Sequence, residues 1–257
     1  VEDDLRDFLK DTLLKVAPMV RVSGVTGLGV ARVLSEIERL ADAAESRVFV
    51  GAFRLPIDWL FPMTGFGTIV TGTLVSGTIQ VGSPARILPR GIDTRVRGIQ
   101  VHGKKQDAAQ AGSRVAVNLA GVELSDIERG DVLLPPGYLQ ASAMLDASVR
   151  VLKEAPRPLA NRARVRLHIG TAEVLGRAAI LGAKEIAPGQ RGFVQLRLES
   201  PVVAARNDRF VLRFYSPMAL LGGGIVLDPT APRHRANEKN LIERLQAKLK
   251  GDPADIV

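Results

Sequence analysis

From Val48 to Asp228 the chain alternates apolar and polar residues at period two, and Gly, Pro or Asp turn signals break the alternation roughly every 8–12 residues. Successive strand side chains point to opposite faces, so this pattern buries one face of each of many short strands. Such strands close into barrels or pair into sandwiches. Strands are predicted at Val48–Leu55, Gly67–Leu74, Gln80–Leu88, Arg95–His102, Ser113–Leu119 and Val132–Leu134. The break Pro135–Pro136–Gly137 precedes a second set at Met144–Leu152, Ala163–Ile169, Glu173–Leu181, Gly192–Glu199, Arg209–Tyr215 and Ile225–Leu227. The expected fold is mainly β, with two antiparallel β-barrels in series over residues 48–139 and 140–232.

The flanks differ. Residues 1–47 show helical periodicity twice, through Leu5, Phe8, Leu9, Leu13 and Val16 and then Val30, Val33, Leu34, Ile37, Leu40 and Ala41. Between them MVRVS reads as a short strand, followed by a glycine-rich turn. One strand and two helices cannot close a core, so this segment is expected to be the tail of an α/β domain. Residues 233–257 return to helical character, with Leu241, Ile242, Leu245 and Leu249 on one face and Gly251 as the stop.

Composition narrows the function. There is no cysteine, and His102, His168 and His234 are scattered, which excludes a disulfide framework and leaves no metal-ligand cluster. No apolar run reaches the roughly 18 residues of a membrane span, so no membrane partner and a cytoplasmic location are expected. The net charge of +8 favours a polyanionic partner, and residues 140–228 hold 13 Lys and Arg against 7 Asp and Glu.

The run Gly98-Ile-Gln-Val-His-Gly103-Lys104 mimics a phosphate loop, but Lys105 replaces the magnesium-binding hydroxyl residue and no helix pattern follows. No nucleophile–base or paired-carboxylate arrangement stands out, so no catalytic residue is assigned. VSGVTGLG could present backbone donors to a ligand or form only a tight turn. Gly65, Gly67, Gly72, Gly77 and Gly82 crowd the first barrel, and Gly72 inside a strand suggests a bulge or the close approach of another backbone. In NRARVRLHIG, Arg162, Arg164, Arg166 and His168 share one strand face, with guanidiniums about 7 Å apart. Arg209 and Arg213 repeat the pattern, and Arg191 and Arg197 extend it. Such a face is either solvated surface or a phosphate-binding stripe. The few aromatics favour a folded A-form backbone over single-stranded bases.

The runs FRLPID, GFGTIVTGTLVSGTIQVGSPARILP, TRVRGIQVHGKK, AGSRVAVNLAGV and IERGDVL together resemble the second domain of EF-Tu-class translation elongation GTPases. FRLPID with YSPMALLGGGIVLDPTAPRHR resembles, within that class, the selenocysteine-specific (SelB) branch. The resemblance covers nearly the whole chain. It implies a monomeric carrier of selenocysteinyl-tRNA to the ribosome, whose GTPase domain uses GTP and Mg and whose C-terminal winged helices hold a messenger hairpin.

On that reading residues 1–47 end the GTPase domain, and Ser23 and Gly24 are a remnant of its guanine loop. The second domain holds the aminoacyl end, the third grips the acceptor and T-stem region, and 233–257 lead toward the winged helices. The chain is then a piece of a longer protein, expected to bind no cofactor and neither to bind nor to hydrolyse GTP alone. The family pattern has Asp-Arg after the FRLPI-like strand and a second Arg in the AGxR stretch. Asp58 and Arg114 match it, whereas Trp59 replaces the first Arg. The resemblance therefore implies an aminoacyl pocket of Asp58, Trp59 and Arg114, with Arg97 and His102 at the rim, and a tRNA-backbone surface of Arg162, Arg164, Arg166, Arg209 and Arg213. Asp58 as a turn cap and Trp59 as a core or interface aromatic remain open. So do three other functions: barrels of an EF-Tu or initiation-factor relative, a barrel enzyme or small-ligand carrier, and a protein-docking module.

Overall fold

A computed structural model of the chain describes residues 1–10, 12–44, 51–63, 67–234, 238 and 240–251. It divides into two units, residues 1–48 and 49–257. In the first, α1 (Glu2–Leu9) and α2 (Val30–Asp42) bury no residue. The first helix stops short of Val16, because the Thr12 amide and hydroxyl both turn back onto the Leu9 carbonyl, the hydroxyl at 2.8 Å. MVRVS is not a strand: no neighbouring strand pairs with it among the described residues, and Arg21 instead forms a two-pronged ion pair with Glu2.

The second unit begins with nine strands: β1 (Leu55–Met63), β2 (Gly67–Thr73), β3 (Thr78–Gln80), β4 (Pro84–Leu88), β5 (Ile92–Val101), β6 (Lys104–Gln106), β7 (Ala108–Gln110), β8 (Arg114–Leu119) and β9 (Val132–Leu134). The order β4-β9-β1-β2-β8-β5 closes through a β4–β5 ladder into a six-stranded antiparallel ring. Its core includes Leu55, Ile57, Ile87, Val117 and Leu133. Two sequence expectations are corrected. The first strand is Leu55–Met63, not Val48–Leu55, of which residues 48–50 lie outside the described set, as does Gly65. Pro56 and Pro62 obscure it, but it survives because the Ile57 amide donates to the Asp131 carbonyl at 2.8 Å. The expected strand Gln80–Leu88 is split at residues 81–83, where the Gly82 amide bonds the Val96 carbonyl and Pro84 opens β4.

Gly72 meets its expectation. It pairs with Ile57 where the register slips, and a Cβ there would stand 2.1 Å from the Pro56 carbonyl oxygen. Two residues of β1, Asp58 and Trp59, then oppose Thr71 alone, which is a β-bulge.

Eight strands follow: β10 (Ala141–Val151), β11 (Leu159–Ala160), β12 (Ala163–Ile169), β13 (Ala172–Leu181), β14 (Glu185–Ile186), β15 (Arg191–Val203), β16 (Arg209–Phe214) and β17 (Leu220–Asp228). Six of them close as β10-β15-β13-β12-β16-β17 around Leu145, Leu167, Leu196 and Leu212. The last strand is nine residues, three times the expected Ile225–Leu227, because its Gly222–Gly224 run erases the alternation signal. Gly222 and Gly224 lie where β17 presses onto β10, and a Cβ on Gly224 would meet the Ser148 carbonyl oxygen at 2.0 Å. Helix α3 (Leu241–Lys250) packs Leu241 and Leu245 on Leu227 beside Leu181, Phe193 and Ile225, as its apolar face implied.

The barrels meet through Val132, Leu134 and Val203 and through Arg54, whose Nη1 and Nη2 donate to Asp208 Oδ2 and Oδ1 at 2.6 and 2.7 Å. Both side chains of that pair are under one-fifth exposed, and Asp208 also accepts from the Ala205 amide. Replacing Arg54 with Ala strands this carboxylate at the junction. The expected cost is about 1.5–3 kcal/mol, the worth of hydrogen bonds to a charged group. Denaturant unfolding checks it, and an unchanged midpoint would mean that the pair does not join the barrels.

Candidate nucleic-acid interface

The β1 bulge turns Asp58 and Trp59 toward the outer face, opposite Thr71 of β2. On the far side of β2, β8 places Arg114 opposite Thr73. The three strands bring Asp58 and Arg114 together across 56 positions of sequence. Arg114 Nη1 bonds Asp58 Oδ2, Nη2 lies 3.1 Å from Oδ1, and the Thr71 hydroxyl donates to Oδ1 at 2.8 Å. Burial works to raise the Asp58 carboxyl, but the hydrogen bonds from Arg114 and Thr71 outweigh it and hold the group below its ordinary value. The carboxylate stays charged and orients the guanidinium of Arg114, whose side chain is 58% exposed. Trp59 is 65% exposed beside the pair, so it is not a core aromatic.

One strand step along the same face, β2, β5, β6 and β8 enclose a cavity of about 460 Å³. Ile69, Ile99 and Ala116 supply apolar wall, and Arg97, Gln100 and Asp107 supply polar groups. Arg97 thus lines this cavity. His102 does not line it; it occupies the β5–β6 turn at φ 50 and is exposed.

In the second barrel Arg164, Arg166 and His168 point outward while Val165, Leu167 and Ile169 are buried. Arg162 is exposed in a left-handed turn before the strand. The stripe also extends across strands, which its sequence does not show. Arg213 faces Arg166, Arg164 faces Arg177, and Arg177 faces Arg197, so guanidiniums recur over β16, β12, β13 and β15 at a strand spacing of about 4.8 Å. Arg209 lies apart from them, lining an inter-barrel cavity of about 140 Å³ with Arg54 and Asp208.

Like charges directly opposite one another repel, and two carboxylates offset them. Glu199 takes both prongs of Arg164 at 2.9 and 3.0 Å, and Glu173 pairs with Arg166. The bond to Arg164 holds the Glu199 carboxyl below its usual range. Arg164 also lies 4.2 Å from the centre of the Tyr215 ring. Burial, then the Arg233 and Arg162 charges, lower the Arg197 guanidinium from its ordinary value. The face is therefore a charge-dense lattice with partial counterions.

Sequence reasoning missed Thr71, Arg177 and Arg129. Arg129 lines two further cavities where the barrels meet, one of them with His168, Thr171 and Glu173, and its charge also acts on Asp58. It stands between the two faces, and its only sequence signal was membership of the IERGDVL run.

In the first unit, Ser23 and Gly24 begin a turn that is largely self-satisfied. The Ser23 amide donates to the Leu28 carbonyl at 2.9 Å, and its hydroxyl accepts from the Thr26 amide. Both the amide and the hydroxyl of Ser23 are thereby engaged within the turn itself. Among the described residues no three His, Cys, Asp or Glu side chains converge as metal ligands, and no helix is long and apolar enough to cross a membrane.

Comparison with known proteins adds independent constraints. Residues 67–134 match the family model for elongation factor Tu domain 2, and residues 146–233 match that for the β-barrel domain of selenocysteine-specific elongation factor. A selenocysteine-specific elongation factor of Desulfomicrobium baculatum is 35% identical over 94% of the chain and 38% of its own length. The crystal structure of a bacterial selenocysteine-specific elongation factor, EF-Sec, superposes over 99% of the chain and 40% of its own, with a TM-score of 0.81 and 26% identity. The apo SelB structure from Methanococcus maripaludis covers 88% of the chain and 54% of its own, with a TM-score of 0.76 and 27% identity. The chain spans less than two-fifths of the length of the D. baculatum relative.

Proposed function

The chain carries the paired β-barrels of the selenocysteine-specific elongation factor family within the EF-Tu class, and from that premise we propose that it holds selenocysteinyl-tRNA for delivery to the ribosome. The first barrel takes the esterified tip and the second takes the sugar–phosphate exterior. GTP hydrolysis and messenger recognition belong to other parts of the full-length factor, and no step of the binding below runs through GTP.

The observation that carries this reading is the Asp58–Thr71–Arg114 group beside the 460 Å³ cavity. A selenol ionises more readily than an alcohol, so a pocket that prefers selenocysteine to serine needs a fixed cation for the selenolate. Arg114 supplies the charge, and Asp58 and Thr71 hold its fork in place while leaving it exposed. The cavity accepts the terminal nucleoside on its apolar floor, within the size range of small-ligand sites. Trp59 stands exposed where the family pattern has its first arginine, leaving the anion contact to Arg114. Arg129 contacts a phosphate between the tip and the Arg162–Arg166 surface.

In the full-length factor, Arg114→Ala should lower the preference for selenocysteinyl- over seryl-tRNA by about tenfold or more, since a hydrogen bond to a charged group contributes about 1.5–3 kcal/mol. Competition binding of the two charged tRNAs reads the ratio directly. Equal losses for both would remove Arg114 from side-chain recognition. An unchanged ratio in the parent protein, with no preference to lose, would instead favour carriage of ordinary aminoacyl-tRNA.

A further inference from the structure

The segment that leaves β17 carries a charge network that RNA binding does not use. His234 and Asp146 side chains are only 5% and 3% exposed. His234 Nε2 lies 2.6 Å from Asp146 Oδ2, and its Nδ1 lies 2.9 Å from Glu238 Oε2. A neutral imidazole has one N–H, so a ring facing an ionised carboxylate at each nitrogen satisfies both only as imidazolium. Glu238 in turn accepts from Arg244 of α3. Gln195 Nε2 donates to Asp146 Oδ1 at 3.2 Å and to the Pro232 carbonyl at 2.8 Å, fixing the other end of the segment to β15.

We propose that His234 is a proton-operated clamp. Doubly protonated, it ties the connector to β10 through Asp146 and, through Glu238 and Arg244, to α3; singly protonated, it keeps Asp146 and releases Glu238, so that α3 opens from the barrel more readily. The rest of the α3 attachment does not depend on the ring: Leu241 and Leu245 are buried, Lys248 Nζ reaches Asp228 at 2.8 Å, and Arg206 Nη2 caps the Lys248 carbonyl at 2.7 Å. The effect is therefore a local opening and not an unfolding of the barrel.

Among the described residues, the ionisable groups around the ring are Asp146 on β10, Arg197 on β15, Asp228 at the end of β17, Arg233 and Glu238 on the connector, and Arg244 and Lys248 on α3. Arg197 Nη2 reaches the His234 carbonyl, and the Asp228 carboxylate is in turn stabilised by the His234 charge. Burial pushes the imidazole down, but its bonds to Asp146 and Glu238 prevail and raise it above its ordinary value. A group raised in the closed state contributes stability that is fully present below its open-state value and is lost as pH rises through the closed-state value. The clamp therefore loosens on the alkaline side of ordinary histidine titration.

The test is amide hydrogen exchange of α3 in the 257-residue chain between pH 6 and pH 9, together with NMR titration of the His234 ring. Protection factors in α3 should fall with rising pH, about tenfold for each unit by which closure raises the His234 value, while those of β12 stay level. Glu238→Gln keeps the fold but removes the second carboxylate. It should lower the His234 titration point and flatten the α3 profile, and His234→Gln should flatten it too. PH-independent α3 protection in the parent chain, an unaltered profile in Glu238→Gln, or a His234 titration point at or below the ordinary value would each overturn the proposal.

Discussion

Gly224→Val is expected to prevent the second barrel from closing. A Cβ at this position would stand 2.0 Å from the Ser148 carbonyl oxygen and 2.7 Å from the Phe210 ring. Neither can withdraw cheaply: Ser148 belongs to the β10 ladder, paired with both β15 and β17, and Phe210 is a core side chain. To admit the valine, β17 must part from β10 and open the ring. Overpacking in a close-packed interior costs typically 1–3 kcal/mol, and loss of ladder bonds adds to it. The sum is a large share of the about 5–15 kcal/mol that stabilises a whole domain. The variant should melt far below the parent or fail to accumulate as folded protein. Gly98→Ala, whose Cβ would meet nothing nearer than 3.9 Å, is the control expected to stay near the parent. Parent-like melting of Gly224→Val would mean that β17 does not lie against β10.

Joint replacement of Arg162, Arg164 and Arg166 by alanine should weaken tRNA binding most among the surface changes and flatten its salt dependence. Each lost phosphate contact removes about 0.9 from the slope of log affinity against log salt, by analogy with duplex DNA. Three contacts therefore give a fall of up to roughly 2.7. Arg164 and Arg166 start in ion pairs with Glu199 and Glu173, so a phosphate must share or displace those carboxylates. It follows that Glu199→Gln and Glu173→Gln should strengthen binding, the opposite sign to the arginine changes. This pair of opposite outcomes separates a phosphate-binding face from a merely solvated one. A salt slope unchanged by the triple replacement would assign the lattice to surface protection alone.

The outward direction of Arg164, Arg166 and His168 was legible because strand side chains alternate without reference to any other part of the chain. The partners across the sheet were not. Arg177 sits alone among small and apolar residues in GRAAIL, and only the β12–β13 register puts it opposite Arg164. Asp58 and Arg114 could be named separately through family likeness, but their bond depends on a bulge, and a bulge leaves little mark in a pattern already interrupted by Pro56 and Pro62. The glycines show the same division. Gly72 announced a close approach because it interrupted a recognisable strand, whereas three glycines in succession concealed the part of β17 that precedes Ile225.

By itself, then, the order of residues determined that this protein is two barrels in series with helical flanks, which side chains face outward, and where its positive charge collects. Those follow from short-range periodicity, which each segment carries alone. Tertiary structure decided which charges oppose one another, that Arg114 is oriented by Asp58 and Thr71, that Arg129 lies between the two faces, and that His234 meets Asp146 across 88 positions. Closure of a ring selects those neighbours, through strand order and register, and neither is written in any single strand.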